Sequence, residues 1–294
     1  MKRSIKLLLF LIVSQWAAAQ NVLINELVSE QKQNDLVSNT FKSTRIINGQ
    51  SIENVGGGVL DFRISHRFGL LSGGFYDLFG LDQALIRLGL EYGLTDKLMI
   101  GVGRNSFRKE YDGFLKYKIL QQEKNKKKPV SITLFSSSSW STIKHNRAYD
   151  ALFEARLAYT TQILIAKKIT ENLSLQLSPS FIHRNWVPQS QQNNQTISIG
   201  LGGRYKLTKR FSINGEYFYV PKSKQDPSSF NSLSLGVDIE TGGHVFQLHF
   251  TNSTSMIERG FITETNNSWL DGDIHFGFNV SRVFSLKSNT SLYE

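Results

Sequence analysis

From Ala84 to Gly103 the chain reads ALIRLGLEYGLTDKLMIGVG, two runs in which apolar and polar positions alternate, joined by Thr95, Asp96 and Lys97. A period of two belongs to a strand with unlike faces. One face here holds Leu, Ile and Tyr, and the other holds Arg87 and Glu91. A soluble sandwich would turn the apolar face inward, whereas a membrane barrel turns it to lipid and leaves the charges to its lumen. Alternating runs bounded by turn residues predict twelve strands, near 59–68, 84–94, 97–105, 111–120, 130–140, 151–167, 172–184, 195–207, 210–220, 230–240, 244–253 and 272–284.

The connections favour the membrane barrel. Thr95 to Lys97, Thr170 to Asn172, Thr208-Lys209 and Thr241 to Gly243 are tight turns, and QQEKNKKKP is a longer member of the same set. Between them fall longer pieces: GLLSGGFYDLFGLDQ, SFRKE, STIKHNRAYD, NWVPQSQQNN, PKSKQDPSS and TSMIERGFITETNNSWL. Short periplasmic turns alternating with long external loops are an outer-membrane barrel's signature, and an even strand count agrees with it. A Greek-key sandwich has no reason to alternate in this way.

Splitting each strand by parity gives the same answer. Ile86, Leu88, Leu90 and Tyr92, then Phe153, Leu157, Tyr159, Ile163 and Ile165, share a lipid face with Leu173, Leu175, Leu177 and Phe181, with Ile197, Ile199, Leu201 and Tyr205, and with Ile274, Phe276, Phe278 and Val280. The other face carries Asp61, Arg63, Arg67, Arg87, Glu91, Lys116, Lys118, Glu154, Arg156, Arg204, Lys206, Glu216, Asp238 and Glu240, as pore lining or as a lumenal salt-bridge network. Arg87 and Arg156 are the expected partners of Glu91 and Glu154. A soluble fold would need helices or a second sheet over the apolar face, and the sequence offers too little helix for either. Tyr and Phe cluster near strand ends, as at Tyr111, Tyr159, Tyr205 and Tyr219, where a bilayer places its aromatic girdles.

The ends refine this picture. Lys2, Arg3 and Lys6 precede an apolar run and an Ala17-Ala18-Ala19 site, which predicts a signal peptide over residues 1–19. Residues 20–55 are polar without alternation and are expected as a lead-in or plug, joined by Gly56 to Gly58 to a barrel over 56–284, with a tail over 285–294. There is no cysteine, hence neither a lipid-anchored lipoprotein nor a disulfide scaffold. Net charge is +10 and mean hydropathy −0.25, with four lysines in KNKKK from Lys124. The remaining cations are dispersed and no nucleic-acid recognition motif is present, so anionic lipid or polysaccharide is the expected neighbour.

TFKSTRIINGQSIENV from Thr40, LDFRISHRFG from Leu60 and YDLFGLDQALIRLGLEYGLTDKLMIGVGRNS from Tyr76, continuing into YDGFLKYKIL, together resemble the Bacteroidota β-barrel family called domain of unknown function 5777. The likeness is most specific from Thr40 to about Leu120. It implies an outer-membrane barrel and carries no active-site residues.

Catalytic and metal chemistry find little support. His244 and His249 lie on opposite faces of one strand and cannot share an ion, and His275 with Asp273 is too small a set. His66 and His183 read as rim residues. GVGRNS at Gly101 lacks the last glycine of a dinucleotide loop and reads as small lumenal residues beside larger charged ones. No G-x-S-x-G occurs, and Ser65-His66 or His249 near Ser253 has no partner set, so a membrane-embedded hydrolase ranks last. The fold class expected is therefore all-β: an antiparallel up-and-down transmembrane barrel of about 12 strands in a Gram-negative outer membrane. It is expected to meet outer-membrane lipid and, during biogenesis, the barrel-assembly machinery, to need no cofactor or metal and to bind no nucleic acid. Two readings stand: a narrow pore for a small solute, or a closed barrel whose external loops bind a partner or polysaccharide.

Overall fold

The computed structural model describes residues 35–125, 127–143, 152–187, 193–222 and 228–286. The expected leader over 1–19, the start of the lead-in, most of the tail, Lys126 of KNKKK and the tips of three long loops lie outside them.

Twelve strands form: β1 (Val59–Leu70), β2 (Ala84–Gly93), β3 (Leu98–Asn105), β4 (Glu110–Leu120), β5 (Ser131–Ser141), β6 (Leu157–Lys168), β7 (Leu173–Arg184), β8 (Gln195–Lys206), β9 (Phe211–Tyr219), β10 (Ser232–Thr241), β11 (His244–Thr251) and β12 (His275–Ser285). Each pairs antiparallel with its sequence neighbours, and β1 closes on β12 with Ile64 opposite Val280 and Arg63 opposite Ser281. Closure leaves no sheet edge with unpaired backbone groups, the condition for crossing a bilayer in strands. No described helix is long and apolar enough to cross one.

The alternation seen in the sequence becomes the wall. Arg87, Gly89 and Glu91 of β2 point inward and are buried, whereas Ile86, Leu88 and Leu90 point outward and are exposed. The same outward row continues through Ile100, Leu115, Tyr159, Leu177, Leu201, Leu235 and Phe250. In water these side chains would be costly, and in lipid they meet like surroundings.

Two expectations are corrected. β6 begins at Leu157, because its neighbour β5 offers Trp140 as the last paired residue and the strand has no partner beyond it. Glu154–Arg156 instead forms one 3-10 turn held by the Asn185 amide, which donates to the Glu154 carbonyl at 2.7 Å. Glu154 and Arg156 are therefore on the rim at the long-loop end rather than in the lumen. The β3–β4 connection, residues 106–109, is also as tight as the turns of the opposite end, with Arg108 and Lys109 at positive φ.

Two segments run inside the wall. Residues 39–55 enter from the end that carries the short turns, reverse at Ile46 to Gly49 and return to β1. From the other end the β11–β12 connection, residues 252–274, folds inward and includes helix α1 (Glu258–Thr263), which rests near β6.

Candidate functional site

The lumen is the chemically distinctive region, and its polarity follows from strand parity: every second residue of twelve strands must face it. Asp61, Arg63 and Glu91 sit together on β1 and β2. Arg63 Nη2 reaches Asp61 Oδ2 at 3.0 Å, and Arg63 Nε lies 3.6 Å from Glu91 Oε1. Thr44 of the inner segment donates to Glu91 Oε2 at 2.5 Å and accepts from Arg63 at 2.9 Å. Arg87 is bound in a fork by Asp112 at 2.5 and 3.0 Å. The partners of Glu91 and Arg87 thus come from neighbouring strands or the inner segment, in place of the within-strand pairing expected. Gly103 makes room for that fork, since a Cβ there would collide with the Arg87 guanidinium.

The reversal at 46–49 is held by a single carboxylate. Glu216 of β9 accepts from the backbone N–H groups of Ile47, Asn48 and Gly49 at 3.2, 2.7 and 3.0 Å. Three convergent amides form an anion cradle, and without Glu216 they would be buried donors with no partner. Gly49 is needed there because a Cβ would stand 2.7 Å from the Phe218 ring. Around this tip, Arg67 donates to Asn48 Oδ1 at 2.6 Å, Gln247 to the Ile46 carbonyl at 2.9 Å and Asn279 to the Ile47 carbonyl at 3.0 Å.

Nearer the short turns, Lys116 Nζ donates to the carbonyls of Thr44 and Glu53 at 3.1 and 2.6 Å. Arg204 bonds the Asn39 and Thr40 carbonyls at 3.2 and 3.3 Å, and Lys42 pairs with Glu240. Asp238 accepts from Gln247 at 2.9 Å. Lys118 and Lys206 share the inward parity and are half-buried at the base of their strands. An apolar anchor accompanies these bonds: Phe41, Ile46, Ile52 and Val55 pack with Met99, Phe114, Phe135, Leu164 and Ala166. Gly101 faces the Phe114 ring.

The two inner segments meet. Arg45 Nη1 contacts Glu258 Oε1 at 2.8 Å and Gln50 Nε2 donates to the same oxygen at 3.0 Å, with both ion-pair side chains buried. Above them Phe261 and Ile262 of α1 pack with Ile182, Phe218 and Val220. Toward the end that carries the long loops Glu264 gathers three arginines, Arg259 at 3.0 Å through both oxygens, Arg108 at 2.9 Å and Arg184 at 3.4 Å. Burial alone would raise Glu264, and the charges of Arg259, Arg108 and Arg184 reverse this, holding its carboxyl below the ordinary carboxylate range.

Arg67, Arg87, Glu91 and Lys116 all have 0% of their surface exposed. A side chain lining a water-filled passage keeps accessible area, so in this state no such passage runs beside them.

The histidines disperse. His249 is buried inward, His244 stacks outward on Phe246, His66 stacks on Phe278, and His275 bonds the Phe68 carbonyl at 2.8 Å. Among the described residues no group of three His, Asp or Glu is placed to hold a metal ion.

Sequence reasoning missed Asp112, although it shares its parity with Lys116. It also missed Arg45, Asn48, Glu258 and Glu264, which lie where no alternation marks a face.

Among solved structures, the chain is similar to the KdgM porin, with a TM-score of 0.47 at 11% identity over 77% of this chain and 99% of that one. It is similar to the NanC porin with a TM-score of 0.46 at 9% identity over 78% and 100%. It is also similar to Omp33 of Acinetobacter baumannii, with a TM-score of 0.42 at 7% identity over 76% and 97%. No functionally curated protein matches it. A family model described as a membrane bound beta barrel domain covers residues 41–284, the inner segment from Phe41 included. The chain is a membrane-bound β-barrel and belongs to that family, DUF5777.

Proposed function

We propose that this protein is a small-solute pore of the outer membrane, shut in the state described by two segments of its own chain. The observation that carries the reading is what fills the lumen. In eight-stranded barrels the wall's own side chains fill the interior, while twelve strands enclose more. Here a polar wall is completed by residues 39–55 and the 252–274 loop, both continuous pieces of chain that could leave without dismantling a strand. Withdrawal of the inner hairpin would free Arg67, Lys116 and Arg204 from their contacts with it, and with Lys118 and Lys206 these set an expected preference for small anions. Export through a cleaved leader over residues 1–19 belongs to the same reading, and a mature mass beginning at Gln20 is its check.

A closed docking barrel is the second reading, favoured by the apolar anchor of Phe41, Ile46, Ile52 and Val55. Burying each such side chain contributes about 1.5–3 kcal/mol, which opposes withdrawal. Planar-bilayer conductance separates the two. The intact protein should show rare openings, and a variant lacking residues 21–55 should show steady anion-preferring steps. A cysteine pair at Asn48→Cys and Ser234→Cys, whose native side chains are 3.0 Å apart, should silence the openings until reduced. Silence in the folded deletion variant would overturn the pore and leave the closed barrel, whose external loops then become the binding surface for a partner or polysaccharide.

A further inference from the structure

On the bilayer side of the wall, at the end carrying the long loops, four consecutive strands present a ladder of stacked rings and guanidiniums. Arg104 of β3 lies opposite Tyr111 of β4, Tyr111 opposite Trp140 of β5, and Trp140 opposite Leu157 at the start of β6. The Arg104 guanidinium carbon is 5.6 Å from the Tyr111 ring centroid, and the Tyr111 and Trp140 rings stack at 6.1 Å. The Arg156 guanidinium carbon is 5.5 Å from the Trp140 ring, and Phe153 packs on the same indole at 5.1 Å. Outward parity is shared with exposed Ile100, Val102, Leu115 and Tyr117, so the ladder is the top course of the lipid-facing surface.

Neither Arg104 nor Arg156 forms an ion pair among the described residues, although Glu154 stands on the same turn as Arg156. Two buried donors at this rim, Arg156 Nε and Trp140 Nε1, have no hydrogen-bond partner among the described residues. A guanidinium placed over a ring face keeps its charge, and its terminal Nη donors can still take phosphate oxygens. A cation placed there only for solubility would have no reason to be immobilised on aromatics at a lipid boundary.

We propose that this ladder is a binding site for the phosphorylated glycolipid of the external leaflet. Its acyl chains lie along the apolar wall beneath, and its phosphates are held by Arg104 and Arg156. Three inter-strand steps of about 4.8 Å, roughly 14 Å in all, separate the strands at the two ends of the ladder. That span suits a head group carrying two phosphates better than a phospholipid carrying one. The inference rests on the membrane placement of the barrel and not on whether its lumen opens.

The test is native mass spectrometry of the detergent-solubilised protein titrated with bis-phosphorylated lipid A, dephosphorylated lipid A and phosphatidylglycerol. The wild type should retain the bis-phosphorylated lipid at least about tenfold more tightly than either comparison lipid. Arg104→Gln with Arg156→Gln should abolish that margin, Arg104→Lys with Arg156→Lys should keep part of it, and Lys97→Gln with Lys209→Gln, at the opposite end, should leave it unchanged. A wild type that binds the three lipids within twofold of one another overturns the proposal without recourse to any variant, as does a folded double glutamine variant that keeps the margin. Conductance is not read, so failure here and failure of the pore remain separate.

Discussion

Replacing Glu264 by glutamine tests whether the inward loop is fastened by charge. Glu264, at 12% exposure, accepts from Arg259, Arg108 and Arg184 through four contacts of 2.9 to 3.4 Å. The variant keeps the side chain's shape and removes the charge, while Glu110, 3.1 Å from Arg259 Nε, still offsets Arg259. Removing one partner of a buried ion pair costs about 3–5 kcal/mol, and the lower end applies because Arg108 is 38% exposed. About 3 kcal/mol corresponds to roughly two decades in a local opening equilibrium. The readout is hydrogen exchange at the Phe261 and Glu264 amides, which donate to the Ile257 and Gly260 carbonyls at 3.0 and 2.9 Å. Protection there should fall by about a hundredfold, with amides of β7 and β8 unchanged. The pH dependence has a definite sign. Burial pushes the carboxyl up from its ordinary 4.5 and the arginines push it further down, so the unfolded loop binds the proton more readily than the folded one. The fastening is complete above about pH 4.5 and is lost as pH falls through the lower folded value, and the glutamine variant should lack this dependence. Protection equal to the wild type within threefold at pH 7 would refute the reasoning.

At the contact between the two inner segments, Arg45→Met or Glu258→Leu alone should cost about 3–5 kcal/mol by leaving a buried charge, and the double variant clearly less than the sum, read from urea unfolding in micelles. Gly101→Val places a Cβ within collision distance of two atoms of the Phe114 ring, and overpacking of this kind should destabilise by about 1–3 kcal/mol in the same assay. Lys116→Met removes the ammonium that holds the Thr44 and Glu53 carbonyls, so proteolysis of the intact barrel within residues 39–55 should quicken about tenfold or more, against no change at the β8–β9 turn.

The wall was readable from the chain because period-two alternation and turn residues act locally. β2, β7 and β11 begin and end within two residues of where the pattern places them, and the inward parity of Arg87 and Glu91 follows from it. The partners of those charges were not readable. Whether Arg87 meets Glu91 or Asp112 depends on how β3 and β4 are staggered, and whether Glu91 meets Arg63 depends on a threonine donated from outside the sheet. β6 was overextended because Phe153, Glu154 and Arg156 still alternate although no partner strand reaches them. Nothing in the spacing of Arg45 and Glu258 joins them, since they are 213 positions apart and neither segment has a repeating face.

The inner hairpin also has a bearing on how the barrel is put together. It bonds to Arg63 of β1 and Lys116 of β4 on one side, and to Glu216 of β9, Gln247 of β11 and Asn279 of β12 on the other. It therefore lies across the junction where the first strand meets the last, and works as a clasp on that seam. A segment made before any strand cannot take its seat until the final strand has arrived. The Asn279 amide on the Ile47 carbonyl then reports that the ring is complete, and a chain truncated before β12 would leave the clasp with no anchor on the closing strand.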